Sequence, residues 1–237
     1  MINLSTKTAL VTGASSGIGL SITRTLLAQQ CRVIGIARDF TKVNIDSNLF
    51  QFFSQDLTDL NATSELIKKL CKDNQIDFFI HSAGSGLFGS IEQFSVRQID
   101  KYIKSNLTCA LVISHHIVPA MRKQKSGRII FIGSESAISA GKKGSLYSSA
   151  KFGMRGLALA LREDCSKDVI NVSQINPGMV KTPFFDKLNF RPGSDSSNYI
   201  QAQDIADTVL HIVQSNPDIV FDEINLSPRN KTLDFSK

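Results

Sequence analysis

Apolar runs rich in β-branched and aromatic residues recur along the chain at residues 8–11, 33–36, 50–53, 77–80, 129–132, 172–175 and 223–226. Their length and their polar flanks predict strands. Most are apolar at successive positions, as a parallel strand covered on both faces requires. Between them apolar residues return at helical spacing: Leu66, Ile67, Leu70 and Cys71, then Val96, Ile99, Ile103, Leu107 and Leu111, then Ile205, Val209, Ile212 and Val213. Strand and helix alternate, which predicts right-handed crossovers and a doubly wound α/β sheet. Its ligand crevice should lie beyond the carboxyl ends of the strands. No internal repeat, low-complexity tract or Pro/Gly-rich linker divides the chain, so residues 1–237 are expected to form one domain.

Composition narrows the function classes. Hydrophobic residues at 42% and charged residues at 20% fit a folded globular chain and exclude general disorder. The formal net charge of +6 is spread along the sequence, in short basic groups such as Arg122-Lys123 with Lys125 and Lys142-Lys143. A nucleic-acid partner is therefore not expected, because phosphate-backbone binding needs many cations on one face. The mild positive bias suits an anionic cofactor. Cys31, Cys71, Cys109 and Cys165 lie far apart with no C-x-x-C pair, and no secretory leader precedes the first strand. A reducing, cytoplasmic setting is expected, with the cysteines as small buried hydrophobes. His115 and His116 diverge on a helix while His81 and His211 stand alone, so no metal site is expected. No apolar run approaches the ~18 residues of a membrane span, and no membrane partner is expected.

Directly after the first strand stands Thr12-Gly13-Ala14-Ser15-Ser16-Gly17-Ile18-Gly19, leading into a helical pattern through Leu20, Ile22, Leu26 and Leu27. A tight turn here needs positive φ or a missing Cβ, and the helix N-terminus behind it aims free N–H groups and a positive dipole end at a phosphate. The spacing is G-x-x-x-G-x-G, which a plain glycine-rich turn between strand and helix would also satisfy.

This Thr-Gly-x-x-x-Gly-x-Gly segment resembles the opening of the short-chain dehydrogenase/reductase family, and the later motifs follow in that family's order over nearly the whole chain. The resemblance implies a seven-stranded Rossmann-like sheet of order 3-2-1-4-5-6-7 with a nicotinamide dinucleotide across its carboxyl edge. It places Gly13, Ser15, Ser16, Gly17, Ile18 and Gly19 at the phosphates. NAD-preferring relatives end the second strand with an acidic residue; here Ala37 stands there, followed by Arg38, whose guanidinium suits a 2′-phosphate. NADP(H) is expected over NAD(H), with Lys42 a weaker second cation; the alternative is a surface arginine in a polar turn. Asp56 and Leu57 match the family's adenine contacts, although Asp56 also suits a helix cap near Thr58 and Asp59. His81-Ser82-Ala83-Gly84 stands where relatives carry Asn-Asn-Ala-Gly. Ala83 and Gly84 keep room for a flat cofactor, while the two replacements leave open how the central strands are braced. Asn176-Pro177-Gly178-Met179-Val180-Lys181-Thr182 matches the segment whose amides near Val180 and Thr182 face the nicotinamide carboxamide; Pro177 and Gly178 would equally make a plain turn.

Tyr147-Ser148-Ser149-Ala150-Lys151 carries the candidate chemistry. Four residues apart on a helix, the phenol and the ammonium share one face, and a nearby cation favours phenolate and lowers its pKa toward useful proton exchange. Such pairs also arise on helices by chance. Ser134 lies 13 residues before Tyr147, just after the run 129–132, and matches the family's serine, whose hydroxyl steadies the carbonyl oxygen. A turn serine is the alternative, and Ser136 is its nearest rival. Asn106, in the middle of a helical pattern that it does not favour, matches the family residue that kinks the helix and holds a relay water to the lysine. By the same resemblance Lys151 and Tyr147 also touch the cofactor, Lys151 at the nicotinamide ribose.

These residues together predict an NADP-dependent oxidoreductase that interconverts a small-molecule carbonyl and alcohol, with Tyr147 as acid and base. A dinucleotide-sensing regulator without turnover would not need that pair, and a sugar-nucleotide epimerase would usually need an added lobe. Specificity is expected in segments 85–94, 135–146 and 184–199. Phe184, Phe185, Leu188 and Phe190 would there form an apolar lid or pack beneath their own loop. Relatives pair through the helices carrying Asn106 and Tyr147, so a homodimer or homotetramer is implied; Gly153, Gly156, Ala158 and Ala160 would permit close helix contact, or seat the helix on its own sheet.

Overall fold

A computed structural model of the chain describes residues 2–235. Strands β1 (Thr8–Thr12), β2 (Arg32–Ala37), β3 (Phe50–Ser54), β4 (Phe78–His81), β5 (Gly127–Ile132), β6 (Ile170–Pro177) and β7 (Glu223–Leu226) make one parallel sheet. Its order is β3-β2-β1-β4-β5-β6-β7, as expected from sequence. Winding reverses between β1 and β4, and this is where a doubly wound sheet opens its crevice.

Period-two alternation explains why the strands read as continuous apolar runs. Ala9 and Val11 of β1, with Phe78, Ile80, Ile130 and Ile132, face α1 (Gly17–Ala28) and α6 (Ala202–Gln214). Leu10, Phe79, Ile129 and Phe131 point the opposite way into a second core. That core is closed by α2 (Leu60–Asp73), α4 (Cys109–Gln124) and α5 (Ser145–Asp164). Neither face meets water, so polar alternation has no place. The two edge strands are the exceptions: β7 has no fully buried residue, and in β3 Phe52 is about half exposed and packed beside Phe40 and Phe50. Buried Arg128 of β5 ties the second sheet half to α6, its guanidinium donating to Ile212 O and to Ser215.

Two features depart from the helical and strand patterning. The apolar pattern from Val96 to Leu111 predicts one helix, kinked at Asn106 by the family resemblance, and α3 (Val96–Ile103) passes through a π-helical turn, Lys104–Thr108, before α4 begins. Two short ladders were also illegible: Val180–Lys181 pairs parallel with Ile200–Gln201, and Arg191–Pro192 pairs antiparallel with Leu233–Asp234. The first ties the segment after β6 to the residues just before α6, and the second ties its continuation to Leu233–Asp234.

Candidate active site

A cleft of about 800 Å³ runs along the carboxyl ends of β1, β2, β4, β5 and β6. Its walls include every candidate catalytic and cofactor-contacting residue from the sequence except Asn106, which is buried, and Lys42, which does not line it. Strand register accounts for the convergence. Thr12 sits level with Ile36 and with His81, and Ile132 level with Ile175, so the residues following each strand meet at one edge.

At one end the turn after β1 is built for an anion. Gly13 has φ +70° and its N–H donates to Ile36 O, while an added Cβ would meet the Ala83 backbone at 3.0 Å. An added Cβ on Gly19 would lie 2.2 Å from Gly13 O, so turn and helix start are pressed together. Ser16 is the N-cap of α1 yet makes no side-chain cap bond. The first helical bond runs from Leu20 N to Ser16 O, leaving the N–H groups of Gly17, Ile18 and Gly19 without helical acceptors. Uncapped amides at a positive dipole end are what a phosphate requires. Ser15 and Ser16 flank them.

Arg38 follows β2, is exposed, and its guanidinium has no hydrogen-bond partner among the described residues. Asp39 beside it also lines the cleft, a carboxylate the sequence pattern did not single out. It is committed to Thr41, whose N–H donates to it at 2.7 Å, and those bonds hold its pKa below the usual range. Asp56 accepts from Thr58 N–H at 3.0 Å and from the Thr58 hydroxyl at 2.8 Å, which lowers its pKa. The cap of α2 is instead Asp59, which accepts from Ala62 N–H. Both bonds go to Asp56 Oδ1, and the residue lines the cleft together with Leu57.

The replacement at the end of β4, His81, finds its explanation here, whereas nothing in the structure accounts for the Ser82 side chain. Thr12 Oγ1 accepts from Ser82 N–H and Ala83 N–H, both at 3.2 Å, so its own proton goes to His81 Nδ1 at 3.0 Å. His81 therefore carries its proton on Nε2, facing Cys109 Sγ at 4.0 Å. Cys109 in turn donates to Ser105 O. Complete burial pushes the imidazole down to about 3, so it is a neutral brace between β1, β4 and the π turn.

Within that π turn Asn106 is 1% exposed. Its side-chain NH₂ donates to Tyr102 O at 3.1 Å, the acceptor an α-helical N–H at this position would use, and to Ser105 Oγ at 2.9 Å. Its Oδ1 accepts from Ser85 N–H at 2.9 Å. The amide thus replaces a helical bond, widens the turn and fixes the chain after Gly84. Gly84 has to lack a Cβ, which would stand 2.9 Å from Asn106 Oδ1.

Tyr147, Ser134 and Lys151 meet at the other end of the cleft, each 7% exposed. Lys151 Nζ lies 5.9 Å from the centroid of the Tyr147 ring and donates to Ile132 O at 3.1 Å. Ser134 accepts from Ser136 N–H, capping a short turn, and its hydroxyl also lies where it steadies an ionised Tyr147. The expected direction of the phenol's pKa is corrected. Burial pushes Tyr147 up to about 12, and burial pushes Lys151 down to about 8. Desolvation disfavours both ions, and the ammonium is turned toward the Ile132 carbonyl, so burial outweighs the attraction that helical spacing suggests.

The third wall is aromatic and hydrophobic. Pro177 closes β6 level with Leu226, and Gly178 N–H donates to Leu226 O. Val180 is buried in its short ladder with Ile200, and Thr182 packs on Gly17, where an added Cβ would touch it at 3.3 Å. Thr182 then caps the turn that places Phe184 and Phe185 in the cleft beside Phe190, whereas Leu188 is not among the lining residues. Phe88 was not singled out by the pattern, yet its ring lies 4.9 Å from that of Tyr147. No group of three metal-ligating side chains occurs among the described residues, and no described helix is long and apolar enough to cross a membrane.

The short chain dehydrogenase family profile matches residues 7–192. An uncharacterized oxidoreductase of Staphylococcus saprophyticus is 31% identical over 237 residues, covering 96% of this chain and 100% of that one. A 3-oxoacyl-(acyl-carrier-protein) reductase of Buchnera aphidicola is 28% identical over 223 residues, 89% of this chain and 91% of its own. Among solved structures, a metagenomic short-chain oxidoreductase in complex with NADP aligns with TM-score 0.80 at 26% identity, covering 96% of this chain and 99% of that one. ElxO with NADP bound aligns with TM-score 0.83 over 94% of this chain and 97% of its own; at 22% identity that likeness concerns the fold.

Proposed function

Since this chain belongs to the short-chain dehydrogenase family of oxidoreductases, we propose that it interconverts a carbonyl and an alcohol on a small molecule, using NADP(H). The carrying observation is that Tyr147, Ser134 and Lys151 converge in the same cleft whose far end holds an uncapped glycine turn and an unpartnered guanidinium. The bound dinucleotide would supply the hydride. The residues suit it throughout: Gly17, Ile18 and Gly19 N–H groups for the pyrophosphate, with Gly13, Ser15 and Ser16 shaping the turn, and Arg38 for a 2′-phosphate. Asp56 and Leu57 bound the adenine side, and Ala83 and Gly84 leave space for the flat rings. Lys151, Pro177, Gly178, Val180 and Thr182 surround the nicotinamide side.

Tyr147 gives its proton to the substrate oxygen as charge develops there, and Ser134 donates a hydrogen bond to that oxygen. A phenol held neutral by burial carries the proton that reduction needs. Lys151, near neutrality itself, passes a proton toward the phenol, and Asn106 holds the π turn that shapes the passage behind it. Oxidation of an alcohol runs the same protons backward. We further propose a cytoplasmic protein that assembles as a homodimer or homotetramer through α4 and α5, where Leu111, Phe152 and Leu159 are exposed.

The test is NADPH oxidation followed by absorbance against a carbonyl panel, with NADH in parallel. Tyr147→Phe should cut turnover by about 10²–10⁴-fold, the usual worth of a positioned acid, with NADPH affinity kept within about twofold. A Tyr147→Phe protein that turns over like the unaltered chain refutes the assignment.

A further inference from the structure

Resting on the carbonyl-reductase reading, we propose that the substrate is an uncharged carbonyl compound bearing a flat apolar group, an aryl ketone or aryl aldehyde, and that the C-terminal strand builds the wall that selects it. Phe88 stacks at 37° on Tyr147, and Phe184 meets the same phenol edge-on at 6.1 Å and 65°. Phe190 stands edge-on to Phe88 at 5.0 Å, and Phe185 bridges Phe184 and Phe190 at 5.1 and 5.9 Å. The phenol that would protonate the substrate therefore opens into a sleeve of four phenylalanine rings. The rings are fitted to the backbone: a Cβ on Gly86 would lie 2.6 Å from the Phe184 ring and 3.0 Å from that of Phe88.

Much of the charge in this part of the cleft is already committed. Glu135, next to Ser134, is paired with Lys231 at 2.6 Å. Lys151 lies behind the phenol on Ile132 O, Lys187 stands exposed at the mouth beside Asp186, and Arg38 belongs to the opposite end. A substrate carboxylate or phosphate beside Tyr147 would lose water and meet only the solvent-exposed Lys187 and the carbonyl-bound Lys151, whereas an aryl ring gains edge-to-face partners.

The outer half of the sleeve is held from the far end of the chain. Arg191–Pro192 pairs with Leu233–Asp234, Gly193 N–H donates to Thr232 O, and Asn230 N–H donates to Ser197 O. The Phe235 ring lies 6.3 Å from Phe190. Lys231 reaches back to Glu135. The tail thus fixes Phe190 and removes the one negative charge adjoining Ser134.

Steady-state NADPH oxidation with acetophenone, benzaldehyde, 2-butanone, pyruvate and acetoacetyl-CoA tests the inference on the full chain. The aryl compounds should exceed 2-butanone and pyruvate in kcat/KM by about 100-fold, roughly tenfold per aromatic contact. Phe190→Ala should shrink the aryl-to-aliphatic ratio about tenfold, mainly through KM. Phe235→Ala, at a 65% exposed side chain whose loss spares the core, should shrink it in the same sense. Equal kcat/KM across the panel, a preference for pyruvate or the thioester, or variants that leave the ratio untouched each overturn the inference while the reductase reading stands. NADPH binding without turnover of any carbonyl would sink that reading and this inference with it.

Discussion

Removing the buried ammonium should stabilise the protein while abolishing its chemistry. Lys151 is pushed by burial from an ordinary 10.5 to about 8. That displacement corresponds to about 3 kcal/mol by which the folded state disfavours the charged amine, at about 1.4 kcal/mol per pKa unit. The sign follows from proton counting. Between pH 8 and 10.5 the unfolded chain holds the lysine proton and the folded chain does not, so unfolding takes up a proton and stability rises with pH. Below pH 8 the amine is charged in both states and the full cost is carried. Lys151→Met removes that cost but leaves Ile132 O without its donor, a loss of about 1–2 kcal/mol. The variant should therefore be more stable than the unaltered chain at pH 7 by about 1–2 kcal/mol, and the advantage should vanish or reverse by pH 10. Urea unfolding of both proteins at intervals from pH 7 to 10 measures it. Groups common to both chains, including Tyr147 and the buried cysteines, cancel in the difference. Parallel stability curves would refute the claim that burial governs this amine, and a variant less stable by the same amount at every pH would show that its hydrogen bond matters more than its charge.

The cofactor end and the strand brace yield three further expectations. Arg38→Gln should raise the KM for NADPH about 10- to 100-fold, the worth of charge-assisted bonds to a phosphate, with NADH kinetics nearly unchanged; equal effects on both cofactors would make Arg38 a surface residue. Gly19→Ala forces a Cβ to within 2.2 Å of Gly13 O, so the turn must move: a stability loss of about 1–3 kcal/mol and weaker NADPH binding should appear together in thermal melts and titration. His81→Leu strands the Thr12 proton and should cost about 1–3 kcal/mol at pH 7. Because the folded imidazole titrates near 3 and the unfolded one near 6.5, the stability it contributes is present above pH 6.5 and falls by about 3 kcal/mol by pH 4, so the gap between the two proteins should close and reverse there.

What the sequence disclosed and what it hid follow from the range of the interactions involved. The sheet was legible because burial on both faces writes each strand as a continuous apolar run, and its order followed once the Thr12 to Gly19 turn and the Tyr147, Lys151 pair pointed to a family. The glycine spacing was legible for the same local reason: the requirement at Gly13, a positive φ, belongs to a single residue. The π turn was not, since Ile99, Ile103, Leu107 and Leu111 keep helical spacing whether or not one extra residue is accommodated among them; only the misplaced Asn106 signalled it. His81 could be seen as a departure from the family pattern, but its role depends on Thr12, 69 residues away, and on a proton count at the Thr12 hydroxyl that no spacing encodes. The pKa of Tyr147 was misjudged because helical periodicity reports that two side chains share a face and says nothing about how much water each has lost. The aromatic wall was half visible. Phe184, Phe185 and Phe190 cluster in sequence, whereas Phe88 and the tail residues Lys231 and Phe235 join them only through tertiary contact, Lys231 reaching a partner 96 positions away. The chemistry suggested by the family resemblance therefore lies in short local motifs. The features that would give this chain its own substrate lie in contacts between segments far apart, and it is there that substitutions should alter selectivity before they alter turnover.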